Sequence, residues 1–137
     1  MANLFQVSEM AALALHAMAL MAGSPGELLQ VRPMAARLRA SDATLAKVLD
    51  RLRRARLIRT ARGPKGGSTL ARPAEKISLY QVYEAVDGPV RINRCMFNRP
   101  VCGRRSCVLG SFLGDVNERV VDRLKQTKLS DFVLRMG

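Results

Sequence analysis

Apolar residues at positions 10–22 (MAALALHAMALMA) wrap most of the circumference of a helical projection, so a helix there is expected to be buried on several sides. Ser8 stands where an N-cap belongs, and Gly23-Ser24-Pro25-Gly26 breaks the run. A second helical stretch follows, with Pro33 suited to its first position and Met34, Ala35 and Leu38 facing inward. Ala40-Ser41 is the next break, and Ser41 caps what comes after. From Asp42 to Ala55 the pattern is sharply two-sided: Leu45, Val48, Leu49 and Leu52 recur at helical spacing, while Thr44, Lys47, Arg51 and Arg54 line another side.

The period then changes. Leu57 to Ala61 and Ser68 to Ala71 read as short strands around Arg62-Gly63-Pro64-Lys65-Gly66-Gly67, a hairpin with a glycine-rich tip that Pro73 ends. Residues 77–87 (ISLYQVYEAVD) return to helical spacing and stop at Gly88-Pro89. A stretch rich in Arg and Cys occupies residues 91–107. After it a long helix is expected, with Leu109, Phe112, Val116, Val120 and Leu124 on one stripe, then a short apolar segment from Leu129 to Leu134. The fold class is therefore mainly α with a small β-hairpin wing. Short helix, break, basic helix and glycine-tipped hairpin is the order of a winged helix-turn-helix.

Length and charge sharpen this. At 137 residues the chain fits one compact domain, alone or with an appended arm, and 48% hydrophobic residues exclude wholesale disorder. The net charge is +12, and between Arg32 and Arg72 twelve Lys or Arg face only Asp42 and Asp50. So concentrated a basic block implies a polyanionic partner, nucleic acid ahead of an acidic membrane surface. A helix fits the major groove and a hairpin tip reaches phosphates or the minor groove. Ser41, Asp42, Thr44 and Lys47 lie at the helix N-terminal end, where base contacts are made; Arg51, Arg54 and Arg59 suit phosphates. Arg62, Gly63 and Lys65 suit a wing tip that approaches the backbone closely.

No Lys or Arg precedes Arg32, and Glu9 stands where a signal peptide would be positive, so residues 10–22 are expected to stay in a cytoplasmic protein. The run is also too short to span a bilayer. No P-loop, dinucleotide fingerprint or second histidine offers enzyme chemistry.

Cys95, Cys102 and Cys107 are spaced C-x6-C-x4-C within one loop. Three thiolates from one loop can hold an iron–sulfur cluster, of two or four irons, with one ligand from elsewhere. Arg91, Arg94, Arg99, Arg104 and Arg105 would favour thiolates and offset the cluster's charge. A zinc site, thiol-only sensing and plain packing remain open on the same residues.

Residues 41–89, with RGPKGG (Arg62 to Gly67) and ISLYQVYEAVDGP inside them, and the closing TKLSDF (Thr127 to Phe132), together resemble the signature of the Rrf2 family of bacterial regulators. The likeness runs through essentially the whole chain. It implies a winged-helix DNA-binding domain over residues 1–89, a cysteine loop over 90–108, and a dimerisation helix with its tail over 109–137. It further implies a homodimer whose paired winged helices read a palindromic operator in double-stranded DNA. In cluster-binding members three cysteines occupy this loop, with five residues between each pair more usual. In some the fourth ligand is a carboxylate of the N-terminal helix, a position Glu9 matches. His16, on the same helical face, is the alternative, and as a side chain satisfied by the core it would be no ligand. Ser68 stands where the family often has an aromatic, and Arg56 where Gly is common. The expected function is a regulator whose DNA affinity follows the state of its cluster. The rivals are a cluster-free regulator sensing through thiols, zinc or a ligand, and a nucleic-acid-binding module without a sensor.

Overall fold

Three serines start three helices. In the computed structural model, which describes residues 7–92, 94–97, 99–103 and 107–137, Ser8 Oγ accepts the Ala11 N–H at 3.0 Å and opens α1 (Glu9–Ala22). After α2 (Val31–Leu38), Ser41 Oγ accepts the Thr44 N–H at 3.1 Å and opens α3 (Asp42–Arg54). Strands β1 (Ile58–Ala61) and β2 (Gly67–Leu70) and a 3-10 turn (Ala74–Lys76) follow. Ser78 and Gln81 then satisfy each other's backbone N–H groups in a capping box that opens α4 (Leu79–Asp87). The chain ends with α5 (Phe112–Gln126) and a second 3-10 turn (Leu129–Asp131).

The core is aliphatic, as the composition requires. Leu13, Met18 and Leu20 of α1 meet Met34 of α2, Leu45, Val48, Leu49 and Leu52 of α3, and Val82 and Val86 of α4. Pro33 is the third residue of α2, because the helix opens at Val31 behind Gln30. Its missing N–H still falls in the first turn, where no intrahelical acceptor exists.

The hairpin pairs Ile58 with Leu70 and Ala61 with Gly67. A third segment bridges to it: Leu29 and Ser68 exchange both backbone hydrogen bonds, at 2.9 and 2.8 Å. At Gly67 φ is +149°, and a Cβ there would meet the Leu29 carbonyl oxygen at 2.7 Å. Ser68 is buried, with its hydroxyl 3.4 Å from that of Thr60. Arg56 takes the left-handed conformation, φ +62°, that favours glycine.

The tail returns to the N-terminal half. Leu79 N–H donates to Thr127 O at 3.0 Å, Leu129 N–H to Ile77 O at 2.8 Å, and Leu134 N–H to Ala19 O at 3.0 Å. Leu129 is fully buried in the main core. Leu109 lies in the turn before α5 rather than on it. Along the expected stripe Phe112 is 62% exposed and Val116, Val120 and Leu124 are half-buried, whereas Gly114 and Val121 are the buried residues of α5. An apolar flank of α5 therefore stays open in the single chain. Among the described residues no helix is long and apolar enough to cross a membrane.

Candidate nucleic-acid interface

Ala46, Leu49, Asp50 and Arg53 of α3 line a groove whose other wall is Val31, Thr60 and Ser68, so the helix lies alongside the hairpin. The hairpin's tip is held as well as its base, since Gln30 Nε2 donates to Pro64 O at 2.9 Å. Gly63, φ +102° with nothing near a would-be Cβ, leaves the tip open to an approaching partner.

The basic residues divide into two groups. Lys47 on α3, Arg59 on β1, and Arg62 and Lys65 at the tip are exposed, and none has a carboxylate partner among the described residues. Arg54 and Arg51 are engaged. Asp50 receives Arg53 at 2.8 Å and Arg54 at 3.0 Å. The Arg53 hydrogen bond and both guanidinium charges hold the Asp50 carboxyl below its ordinary pKa, against a smaller opposing effect of burial. Arg51 Nη1 donates to the Val86 carbonyl at 2.7 Å. At the start of α3 the Ser41 hydroxyl bonds that of Thr44 at 2.7 Å, and Asp42 lies 3.6 Å from Arg32, both well exposed. Such a solvated pair constrains little.

Sequence reasoning missed Gln30 and Asp50. Asp50 was within reach, because Arg53 and Arg54 follow it at the i+3 and i+4 spacing of helical ion pairs. Gln30 was not, because its acceptor lies 34 residues on.

The cysteine stretch has no regular element in its described part. Cys95 and Cys107 are half-buried, Cys102 is exposed, and none of them is in a disulfide. The Phe97 N–H donates to Cys95 Sγ at 3.5 Å, the kind of contact a metal-bound thiolate accepts. Arg91, Arg94 and Arg99 are exposed in the same stretch, with Arg94 paired to Glu118 of α5, while Arg104 and Arg105 lie outside the described residues. The donor chemistry thus fits an iron–sulfur cluster. The fold of one chain does not gather it: among the described residues no three His, Cys, Asp or Glu side chains converge as a metal site. Glu9 is exposed at the start of α1. His16 is engaged locally, its Nδ1 2.6 Å from the Ala12 carbonyl and its ring edge-on to Phe132 at 5.3 Å.

The chain is similar to proteins of one kind. It is 30% identical to YwgB of Bacillus subtilis over 74% of this chain and 66% of that protein. It is 35% identical to the transcriptional regulator IscR of Cereibacter sphaeroides over 90% of this chain and 81% of the relative. It spans only about half of other IscR relatives, 54% of that from Pectobacterium carotovorum. Among solved structures, the B. subtilis global cysteine regulator CymR superposes with a TM-score of 0.77 at 20% identity, covering 93% of this chain and 95% of CymR. Staphylococcus aureus CymR does so at 0.72 and 28% identity, covering 90% and 93%. The likeness to the B. subtilis structure shows the winged-helix fold expected from the sequence. Both IscR and CymR are named as regulators, not enzymes. The model of the Rrf2 family, described as an iron-dependent transcriptional regulator, matches residues 7–135, and the chain belongs to that family.

Proposed function

We propose that this chain is a DNA-binding transcriptional regulator acting as a homodimer on double-stranded DNA, with α3 in the major groove and the hairpin tip on the flanking backbone. The observation that carries the reading is the set of exposed cations without carboxylate partners among the described residues, Lys47, Arg59, Arg62 and Lys65, on that helix and that hairpin. Ser41, Asp42, Thr44 and Lys47 are the base-reading candidates. Arg59, Arg62 and Lys65, with the Gly63 backbone, hold phosphates. A second copy covers the open flank of α5, where Phe112, Val116, Val120 and Leu124 lie. Two copies then present two α3 helices to half-sites about 34–36 Å apart.

Sensing is proposed at the stretch between α4 and α5. Cys95, Cys102 and Cys107, with Glu9 as the fourth ligand, would hold an iron–sulfur cluster, which supplies one-electron redox chemistry when bound. The family's description as iron-dependent supports this. A thiol-based sensor is the second reading, favoured by the exposure of Cys102 and by the lack of a gathered ligand set among the described residues.

Binding to a duplex enriched from a randomised pool tests the first proposal. Preference for that duplex over random DNA, persisting as salt is raised, is expected; equal, salt-labile binding to both would reduce the chain to a phosphate binder. Iron and acid-labile sulfide per anaerobically purified chain, beside Cys102→Ala, separates the two sensors. Iron and sulfide that vanish in the variant support the cluster, and their absence from the wild type after reconstitution leaves the thiols.

A further inference from the structure

The last turn of α4 receives side chains from two other helices. Arg51 of α3 donates from Nη1 to the Val86 carbonyl at 2.7 Å in a half-buried contact. Ser8, the cap of α1, donates from Oγ to Asp87 Oδ2 at 2.6 Å. Tyr83 lies one turn back on α4, and burial, with the Asp87 carboxylate beside it, pushes its hydroxyl above the ordinary tyrosine pKa. Val86 O is one of the final four carbonyls of α4, which have no donor inside the helix. A guanidinium suits that place twice, as a hydrogen-bond donor and as a cation at the negative end of the helix dipole. Two residues after Asp87, at Pro89, the chain leaves for the cysteine-bearing stretch.

The charge pattern of α3 makes Arg51 look like one more phosphate ligand. Both side chains are exposed, but Lys47, one turn earlier, has no hydrogen-bond or ion-pair partner among the described residues. Arg51 instead spans 35 residues of sequence to reach a carbonyl on another helix. Such a contact fixes the tilt of α3 against α4, and tilt decides whether Ser41, Thr44 and Lys47 meet base edges in register.

We propose that Arg51 is a positioning residue for sequence reading, holding α3 to the last turn of α4 through the Val86 carbonyl, rather than a phosphate ligand. This rests on the proposed role of α3 as the base-reading helix.

The test compares wild type with Arg51→Met and Arg51→Lys on the duplex that wild type enriches and on random duplex. Arg51→Met is expected to lose at least about fivefold in preference for the enriched duplex, the effect of one mismatched base pair. Its salt slope on random DNA is expected to match wild type. A slope reduced by about one unit, with both duplexes weakened alike, is the mark of a phosphate ligand and overturns the proposal. Amide hydrogen exchange on the free protein decides the clamp without DNA. Faster exchange in the last turn of α3 and at Gly88, partly recovered in Arg51→Lys, is expected, and exchange unchanged in Arg51→Met overturns the proposal. A wild type that enriches no duplex is a failure of the DNA-binding reading, and the exchange result still stands or falls by itself.

Discussion

Gly23 has no side chain because the carbonyl oxygen of Leu134 occupies its place: a Cβ would lie 1.8 Å from that oxygen. The contact holds the returning tail against the end of α1, beside the Leu134–Ala19 hydrogen bond and the bond from Arg37 Nε to Arg135 O at 3.1 Å. Backbone rather than a flexible side chain stands in the way, so Gly23→Ala must displace the tail. The expected loss is about 1–3 kcal/mol, the usual cost of overpacking. Thermal melting reads the loss, and faster proteolysis after Leu129 reads the displacement. An unchanged melt with a protected tail refutes the contact.

Asp50 sets how much of the charge of α3 is available to DNA. It neutralises Arg53 and Arg54 in part, so Asp50→Asn should release both. Anisotropy titrations against random duplex should then show tighter binding and a steeper dependence on salt, whereas Arg62→Ala, at a phosphate-holding position, should lower the slope by about one. Arg54→Ala should lower it less than Arg62→Ala does. Equal losses from the Arg62 and Arg54 variants would mean that the Asp50 pair opens at no cost when DNA arrives.

The same carboxylate gives a pH signature. Its folded pKa lies below the ordinary aspartate value, so the unfolded chain binds a proton more readily than the native one. The stability it contributes is therefore complete above the unfolded pKa and is lost as pH falls through the folded one. The melting difference between wild type and Asp50→Asn should be steady from about pH 7 to 5 and shrink below about pH 4. A difference that grows on acidification would reverse the sign and exclude the pairing.

Most of the fold was legible because its signals are local. Ser8, Ser41 and Ser78 each bond a backbone N–H three residues on, and the spacing that announces them lies within one turn. The hairpin was readable from Gly63, Gly66 and Gly67, though the bridge from Leu29 was not, because its partner Ser68 is far along the chain. The same limit hid the destination of the tail and the acceptor of Arg51. Lys47, Arg59, Arg62 and Lys65 are exposed as their polar context suggested, and the i+4 spacing from Asp50 could set Arg54 apart, but sequence alone could not tell them from Arg51. That distinction depends on which atoms the fold brings within hydrogen-bonding reach.

Arg56 occupies a conformation that costs an L-residue about 1–2 kcal/mol. Glycine removes that cost and returns part of it as extra freedom in the unfolded chain, about 0.5–1 kcal/mol. Arg56→Gly should therefore raise stability by a few tenths to about 1 kcal/mol, against a clear loss for the β-branched Arg56→Val. Denaturant midpoints at constant slope measure both, and a destabilised glycine variant would mean that Arg56 makes a compensating contact.

Arg94 joins the cysteine stretch to α5 by lying across a glycine. A Cβ on Gly114 would meet Arg94 Nη1 at 2.8 Å and Cγ at 3.2 Å, and Arg94 Nη2 reaches Glu118, one turn further along the helix. What blocks the space is a long side chain, which can move aside, and Gly114 itself sits inside a helix, where alanine is favoured by about 1 kcal/mol. Gly114→Ala should consequently leave the melting temperature unchanged or higher while loosening the chain next to Cys95. Alkylation of Cys95, followed by peptide mass in a Cys102→Ser, Cys107→Ser background, should then run faster than in the same background with Gly114. Glu118→Gln, which weakens the ion pair and leaves the space open, should raise the rate by a smaller factor. An alkylation rate indifferent to both changes would mean that Cys95 is held by contacts within its own loop, and that α5 carries no influence over it through Arg94.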